Sequence, residues 1–197
     1  RRFCVAACLL AMIASTSAYG QSLSDKLPQP VDERVFDSQP RPDLVVEVEA
    51  GNLDVANAAW WGFDADNATS ALQSAISSGV KTLVVPNMGV PWNVDPIKLQ
   101  GNQTILFEAG TIVRATRGQA YAHLGSSLFR AIHIENIKLW GPGATLAMNY
   151  HDYMRGEHRH LIHLAGCKNI TIDGLRLTGS GGDGVYVGRG IKRLDGP

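Results

Sequence analysis

Residues 161–188, LIHLAGCKNITIDGLRLTGSGGDGVYVG, restrict the fold more than any other part of the chain. Apolar residues pair two apart: Ile162 with Leu164, Ile170 with Ile172, Leu175 with Leu177, Val185 with Val187. Period-two pairs mark short strands with one buried face. The gaps are too short for crossover helices and lack the signals of tight hairpin turns. The pattern then resumes: Ile162 to Val185 is 23 residues, and so is Leu164 to Val187. Three short strands and three turns before a repeat describe a chain that coils, and the expected fold is a parallel β-helix. The competing reading is a chance run of sandwich strands.

The coil has earlier echoes. Residues 136–141, NIKLWG, match 169–174, NITIDG, and 102–107, NQTILF, are a looser third copy. Asn tolerates left-handed backbone and bonds to neighbouring turns, so stacked Asn residues suit coil corners. Gly141 and Gly174 would turn the next corner without Cβ strain. Each coil buries its face only beside another coil.

The first 20 residues read as a secretory signal peptide: a basic end at Arg1 and Arg2, an apolar run, and a small-x-small site at Ala18, Tyr19 and Gly20. The apolar run is short for a membrane span, so no membrane attachment is expected after cleavage, and the protein is expected to be secreted or periplasmic. Cys4 and Cys8 would leave with the signal. Cys167 then remains alone and reads as a small core filler. Lys and Arg total 18 and Asp and Glu 18, so net charge is zero, or −2 once Arg1 and Arg2 are removed. No basic run suggests nucleic acid, and no acidic block suggests disorder.

Residues 21–43 are polar and rich in Pro, and read as an extended leader or linker. The β-helix domain is expected over 44–197, as the front portion of a longer protein whose C-terminal coils are missing. Residues 44–48, LVVEV, read as a first strand. Trp60, Trp61 and Phe63 read as core packing. Ala68, Leu72, Ala75 and Ile76 form an apolar stripe at helical spacing, with Asp66 or Asn67 as N-cap and Gly79 as stop. One helix followed by strands suits a cap over the N-terminal mouth of a coil. No phosphate-binding Gly-x4-Gly-Lys pattern is present. Residues 114–127 read as a loop.

Residues 147–160, AMNYHDYMRGEHRH, interrupt the coil pattern with two Tyr, two Arg, one Asp, one Glu and three His. A surface excursion from a rigid scaffold is the usual place for function. Asp152 and Glu157 are candidate carboxylates and His158 a candidate proton donor. Arg155 and Arg159 have the fork that clamps carboxylate or sulfate. Tyr150, Tyr153 and His160 are further candidate contacts. His158, His160 and His163 invite a zinc reading, but on a strand His163 points away from the other two, no fourth ligand is evident, and no metal site is expected. Asp183 stands between Gly182 and Gly184, unscreened by neighbouring side chains, with Tyr186 and Arg189 alternating outward if Val185 and Val187 point in.

Residues 64–86 and the coil pattern over 128–188 resemble the pectate-lyase-like superfamily of right-handed parallel β-helices, including secreted bacterial β-helix repeat proteins. The likeness spans roughly 44–190. Gly182, Asp183 and Gly184 look like the Asn-Thr-Asp-Gly element of its polygalacturonase branch, although Gly181 and Gly182 replace the Asn-Thr. That resemblance implies a catalytic role for Asp183. The family's later Asp-Asp, Gly-His-Gly and Arg-Ile-Lys elements are not found.

The expectation is an all-β, right-handed β-helix with a short N-terminal capping helix, acting as a monomer on polysaccharide. Glycosidic-bond cleavage of an acidic polysaccharide is favoured, hydrolysis ahead of elimination, with no cofactor. Elimination would bring in Ca²⁺ bridging a uronate at Asp183. The alternative is a non-catalytic carbohydrate-binding or structural β-helix of adhesin or tailspike type.

Overall fold

Helix α1 (Pro42–Glu49) and strand β1 (Val55–Asn57) precede helix α2 (Thr69–Ser77). The strands that follow are β2 (Thr82–Val85), β3 (Trp92–Val94), β4 (Ile97–Lys98), β5 (Gln103–Phe107), β6 (Ile112–Ala115) and β7 (Phe129–Ile132). The rest are β8 (Glu135–Trp140), β9 (Thr145–Ala147), β10 (Ile162–Ala165), β11 (Lys168–Asp173), β12 (Arg176–Thr178) and β13 (Val185–Gly188). The computed structural model describes residues 22–123, 125–153 and 157–190. The first 20 residues, expected to be a signal peptide, and Arg155 lie outside the described residues.

The strands form three sheets: a first, β1-β2-β5-β8-β11; a second, β3-β6-β9-β12; and a third, β4-β7-β10-β13. Every strand pairing within them is parallel. From β2 onward the chain visits first, second and third sheets in unbroken rotation. Ile162 pairs with Val185 and Leu164 with Val187, the spacing that the apolar repeat predicts. Where a connection is longer, the repeat grows: Phe129 pairs with Ile162, 33 residues on.

The side chains follow the period of two. Phe129, Ala131, Ile162 and Leu164 face the core, and Arg130 and His163 between them face out. Trp92, Val113 and Leu146 stack inward on the second sheet. Trp60 is buried and donates from Nε1 to the Asp37 carbonyl at 2.8 Å, and the Phe63 ring meets Trp92 edge-on at 4.7 Å. The aromatic cluster is core packing. Val185 and Val187 continue the inward row but are 37% and 74% exposed, because no described coil lies over them.

The corner from the third sheet to the first carries the Asn ladder. Asn102, Asn136 and Asn169 have φ of 57°, 58° and 53°, the left-handed region that L residues other than Asn and Gly avoid. Asn136 Nδ2 donates to Asn102 Oδ1 at 2.7 Å, and Asn169 Nδ2 to Asn136 Oδ1 at 2.8 Å. Each amide so holds the corner of the next coil.

Three expectations are corrected. Residues 44–48 are helical, not a strand: Pro42 starts α1, and Leu44 and Val48, one turn apart, are its buried residues. The run of β-branched residues is overridden by that pairing. Nor are residues 22–43 a free leader. Leu27 and Val35 bury against Val84, Leu106 and Trp140, a register row on the outer side of the first sheet. Helix α2 does carry the predicted stripe: Leu72, Ala75 and Ile76 join the same core as Trp92, Val94 and Ile97. The N-cap is Ala68, which makes no side-chain cap hydrogen bond, and not Asp66 or Asn67 as expected; Asn67 Oδ1 accepts from the Thr69 N–H at 3.0 Å, and Gly79 follows the last turn at φ 71°. Among the described residues no helix is long and apolar enough to cross a membrane.

Asn136→Ala loses two ladder hydrogen bonds and strains a left-handed corner, at a cost of roughly 1–2 kcal/mol for the backbone alone. Asn136→Gly loses the bonds but not the conformation. Denaturant unfolding should rank wild type above Gly above Ala, and Ala equal to Gly would contradict the corner account.

Candidate active site

Four connections lead from the second sheet to the third: 95–96, 116–128, 148–161 and 179–184. Rotation stacks them on one edge of the molecule, which gathers residues nearly 90 positions apart in sequence. The two longest are the loop and the insertion that the sequence singles out.

The insertion lies directly on the turn 179–184. A Cβ on Gly179 would come within 2.1 Å of the Met148 carbonyl oxygen, and one on Gly182 within 2.3 Å of the Glu157 carbonyl oxygen. One on Gly181 would strike the Tyr153 ring at 2.6 Å. The glycine-rich turn therefore exists to let the insertion approach, as well as to bare Asp183. Arg159 bridges to Gly181 and is buried. Its Nε donates to the Tyr121 carbonyl at 2.6 Å and its Nη2 to the Ala122 carbonyl at 2.7 Å, above the Tyr153 ring. This guanidinium sews the insertion to the 116–128 loop, a structural task where sequence analysis expects a substrate clamp. Tyr153 is half-buried, and burial raises its phenol above the ordinary value.

His160 is the hinge of this corner. The Asp183 N–H donates to His160 Nδ1 at 3.0 Å, so in the neutral ring the proton is on Nε2. The Asp183 carboxylate is 63% exposed, with Oδ2 3.6 Å from the same nitrogen. Tyr186 stacks on His160 at 4.6 Å and 12°, and His163 meets both rings edge-on. His163 Nδ1 is buried without a hydrogen-bond partner among the described residues. Burial lowers both imidazoles below the ordinary histidine value. Asp183 opposes this at His160 and His158 adds to it; Arg130 and His160 add to it at His163.

The structure thus brings Asp183, His160, Tyr186, Tyr153 and the Glu157 backbone together. His158 is exposed at the same corner, and its carbonyl accepts from the Gly125 N–H at 2.9 Å. Other candidates stand apart. Arg189 follows the far end of β13 from Asp183. Tyr150 is 60% exposed against His151. Asp152 pairs at 4.0 Å with Arg117, across the insertion.

Arg117 belongs to a cleft that sequence analysis misses. About 720 Å³ in volume, it is lined by Asp66, Asn67, Asn93, Asp95, Arg114, Thr116, Arg117 and Asn149, with Ala115 and Ala120. Asn93 and Arg114 are register partners that point outward from β3 and β6 between buried neighbours. Asn93 Nδ2 donates to the Ala65 carbonyl at 2.7 Å, which ties the 64–67 loop to the rim. Thr116 Oγ1 donates to Asp95 Oδ1, and Asn149 Nδ2 donates to the Ala115 carbonyl at 2.9 Å. The signal was there in the lone polar residues at the outward positions of two short strands, Trp92-Asn93-Val94 and Val113-Arg114-Ala115. Among the described residues no group of three His, Cys, Asp or Glu could hold a metal ion.

The fold has counterparts among solved structures. A structure of iota-carrageenase complexed to iota-carrageenan fragments aligns with a TM-score of 0.50 at 20% identity, over 62% of this chain and 28% of that one. A 1,3-alpha-1,4-beta-D-galactose-4-sulfate-3,6-anhydro-D-galactose-2-sulfate 4 galactohydrolase aligns with a TM-score of 0.49 at 20% identity, over 62% of this chain and 30% of that one. At such identity the likeness is one of fold, and this chain spans under a third of either length. No family model matches the chain, and no curated protein matches it by sequence.

Protons bind the unfolded histidines, at about 6.5, before they bind the lowered folded ones. Stability from neutral His160 and His163 is therefore complete above that value and lost as pH falls through the folded values. Denaturant midpoints should drop across this range, and His163→Gln should flatten the slope; an unchanged slope would contradict burial of the rings. Gly182→Ala should lower stability by more than about 1 kcal/mol through the clash with the Glu157 carbonyl, read by the same assay.

Proposed function

We propose that the protein is a secreted polysaccharide-active enzyme with a right-handed parallel β-helix, sealed at its N-terminal end by α2, that hydrolyses glycosidic bonds of an acidic polysaccharide. The observation that carries this reading is the shared edge. The polar cleft with its two guanidinium groups and the glycine-bared Asp183 both open on the second-to-third-sheet corner. An extended polymer running along stacked coils meets both.

The cleft suits a charged sugar. Its lining offers amide, hydroxyl and carboxylate groups in place of water, and Arg114 and Arg117 present forks that match carboxylate or sulfate. Asp183 is the first catalytic candidate, supported by its exposure, its glycine neighbours and its likeness to the polygalacturonase element. Its backbone N–H is held by His160, and its exposed carboxylate stands 3.6 Å from the same ring nitrogen. Hydrolysis requires a second carboxylate to protonate or to activate water. Glu157, at the same corner, is the candidate from the insertion, and Asp95 and Asp66 are candidates from the cleft. The fold shared with a carrageenase structure agrees with a hydrolase acting on an anionic polymer, and no cofactor enters the scheme.

Reducing-end release from sulfated and uronate polysaccharides tests the reading. Asp183→Asn should lower kcat by about 10²–10⁴-fold, the usual worth of a positioned acid or base, with little change in KM. Arg114→Ala should raise KM on the anionic substrate instead. Turnover untouched by Asp183→Asn, or unsaturated products in place of reducing ends alone, would overturn hydrolysis at Asp183.

A further inference from the structure

The outer face of the third sheet carries a second feature that the cleft does not use. Lys98, Arg130, His163 and Tyr186 are register partners on β4, β7, β10 and β13, one per coil. They stand in single file along the winding axis. With neighbouring strands about 4.8 Å apart, the file is about 14 Å long. Lys98 and Arg130 are exposed, and Tyr186 is 39% exposed. Among the described residues neither cation is in an ion pair. None of these four strands contains an Asp or Glu. Glu135, at the next corner, has Lys168 as its register partner; Asp183, in the turn just before β13, lies at the opposite edge of the Tyr186 rung beside His160; and Asp95, just before β4, accepts from Thr116 Oγ1.

We propose that this file is a second binding track, for a linear anionic polysaccharide, separate from the cleft on the second sheet. Two neighbouring cations at rung spacing, Lys98 and Arg130, complement successive negative charges on a linear polymer, and their lack of an ion pair among the described residues leaves them available to it. At the end of the row Tyr186, backed face-on by His160 and edge-on by His163, offers a fixed aromatic surface for a sugar ring. A nucleic acid fits less well. The whole chain has a net charge of zero, so it lacks the broad positive field that phosphate backbones need. The track goes beyond the hydrolytic reading and does not depend on it, because a track on this face holds polymer whether or not the cleft cleaves it.

The test is binding, not turnover. Dextran sulfate is the probe, with neutral dextran and a single-stranded oligonucleotide as comparators, in a background where Arg114→Ala and Arg117→Ala silence the cleft. That background should still bind dextran sulfate and ignore dextran. Adding Lys98→Ala and Arg130→Ala should weaken binding at least tenfold and lower its salt dependence by about one unit per cation removed. Arg130→Lys should stay within a fewfold of the background. Tyr186→Ala should weaken dextran sulfate binding but leave binding of inorganic polyphosphate, a polyanion without sugar rings, unchanged. If the alanine pair fails to fold by circular dichroism, Lys98→Gln and Arg130→Gln are measured singly, since both side chains are exposed. Unaltered dextran sulfate binding in the charge variants overturns the track. Tighter binding of the oligonucleotide, lost in the same variants, overturns its assignment to polysaccharide.

Discussion

Stacking of coil on coil in parallel register is the constraint from which the rest follows. No single turn of this chain buries enough to be stable, since its strands have two to six residues and one inward face. Phe129, Ile162 and their neighbours leave water only because each lies over the next. Parallel register then fixes everything outside the core as well. A residue at one corner must lie over the residue at the same corner one coil earlier, so short connections become ladders and long ones become ridges. The Asn row is the first outcome. The wall of loops beside Asp183 is the second.

The division between core and function is a division between corners. At the corner between third and first sheets, side chains serve the winding itself, amide bonded to amide. At the corner between second and third sheets, the connections lengthen, and polar groups collect that the winding itself does not need. Asp183, Arg114 and Arg117 are there because the winding already repeats without them. Not every polar residue at that corner is free: Arg159 is buried and donates to two backbone carbonyls, and His160 Nδ1 accepts from the turn that holds Asp183. These two make the edge rigid enough to aim what remains.

Much of this was legible in the residues. The 23-residue spacing between Ile162 and Val185 is the register itself, and the Asn residues announced their corner because few other residues take positive φ. The insertion was legible as a break in period. What escaped was whatever depends on distance through space. Residues 44–48 carry strand formers, yet the contact of Leu44 and Val48 with the core decides for helix. The polar 22–43 segment hides its anchors, Leu27 and Val35 with Leu23 and Val31 beside them, for an apolar row that only the assembled first sheet presents. The cleft needed the loop before α2, the outward face of two strands, the 95–96 and 116–128 connections and the root of the insertion, and no local pattern joins them. Asp152 illustrates the same limit: next to Tyr153, whose ring docks on the turn, it faces Arg117 instead.

The most direct measurement is a register test by disulfide formation. With Cys167 replaced by Ser, cysteines are placed at Lys138 and Thr171, outward partners on β8 and β11 that are 33 residues apart. Strand neighbours about 4.8 Å apart fall within the span a disulfide bridges, so mild oxidation should close this pair fast and completely in the native protein. Moving the second cysteine to Ile172, one residue out of register and on the opposite side of the strand, should abolish it. Equal closure of both pairs, or closure only after unfolding, would contradict a chain wound in parallel register, and with it the shared edge on which the proposed chemistry rests.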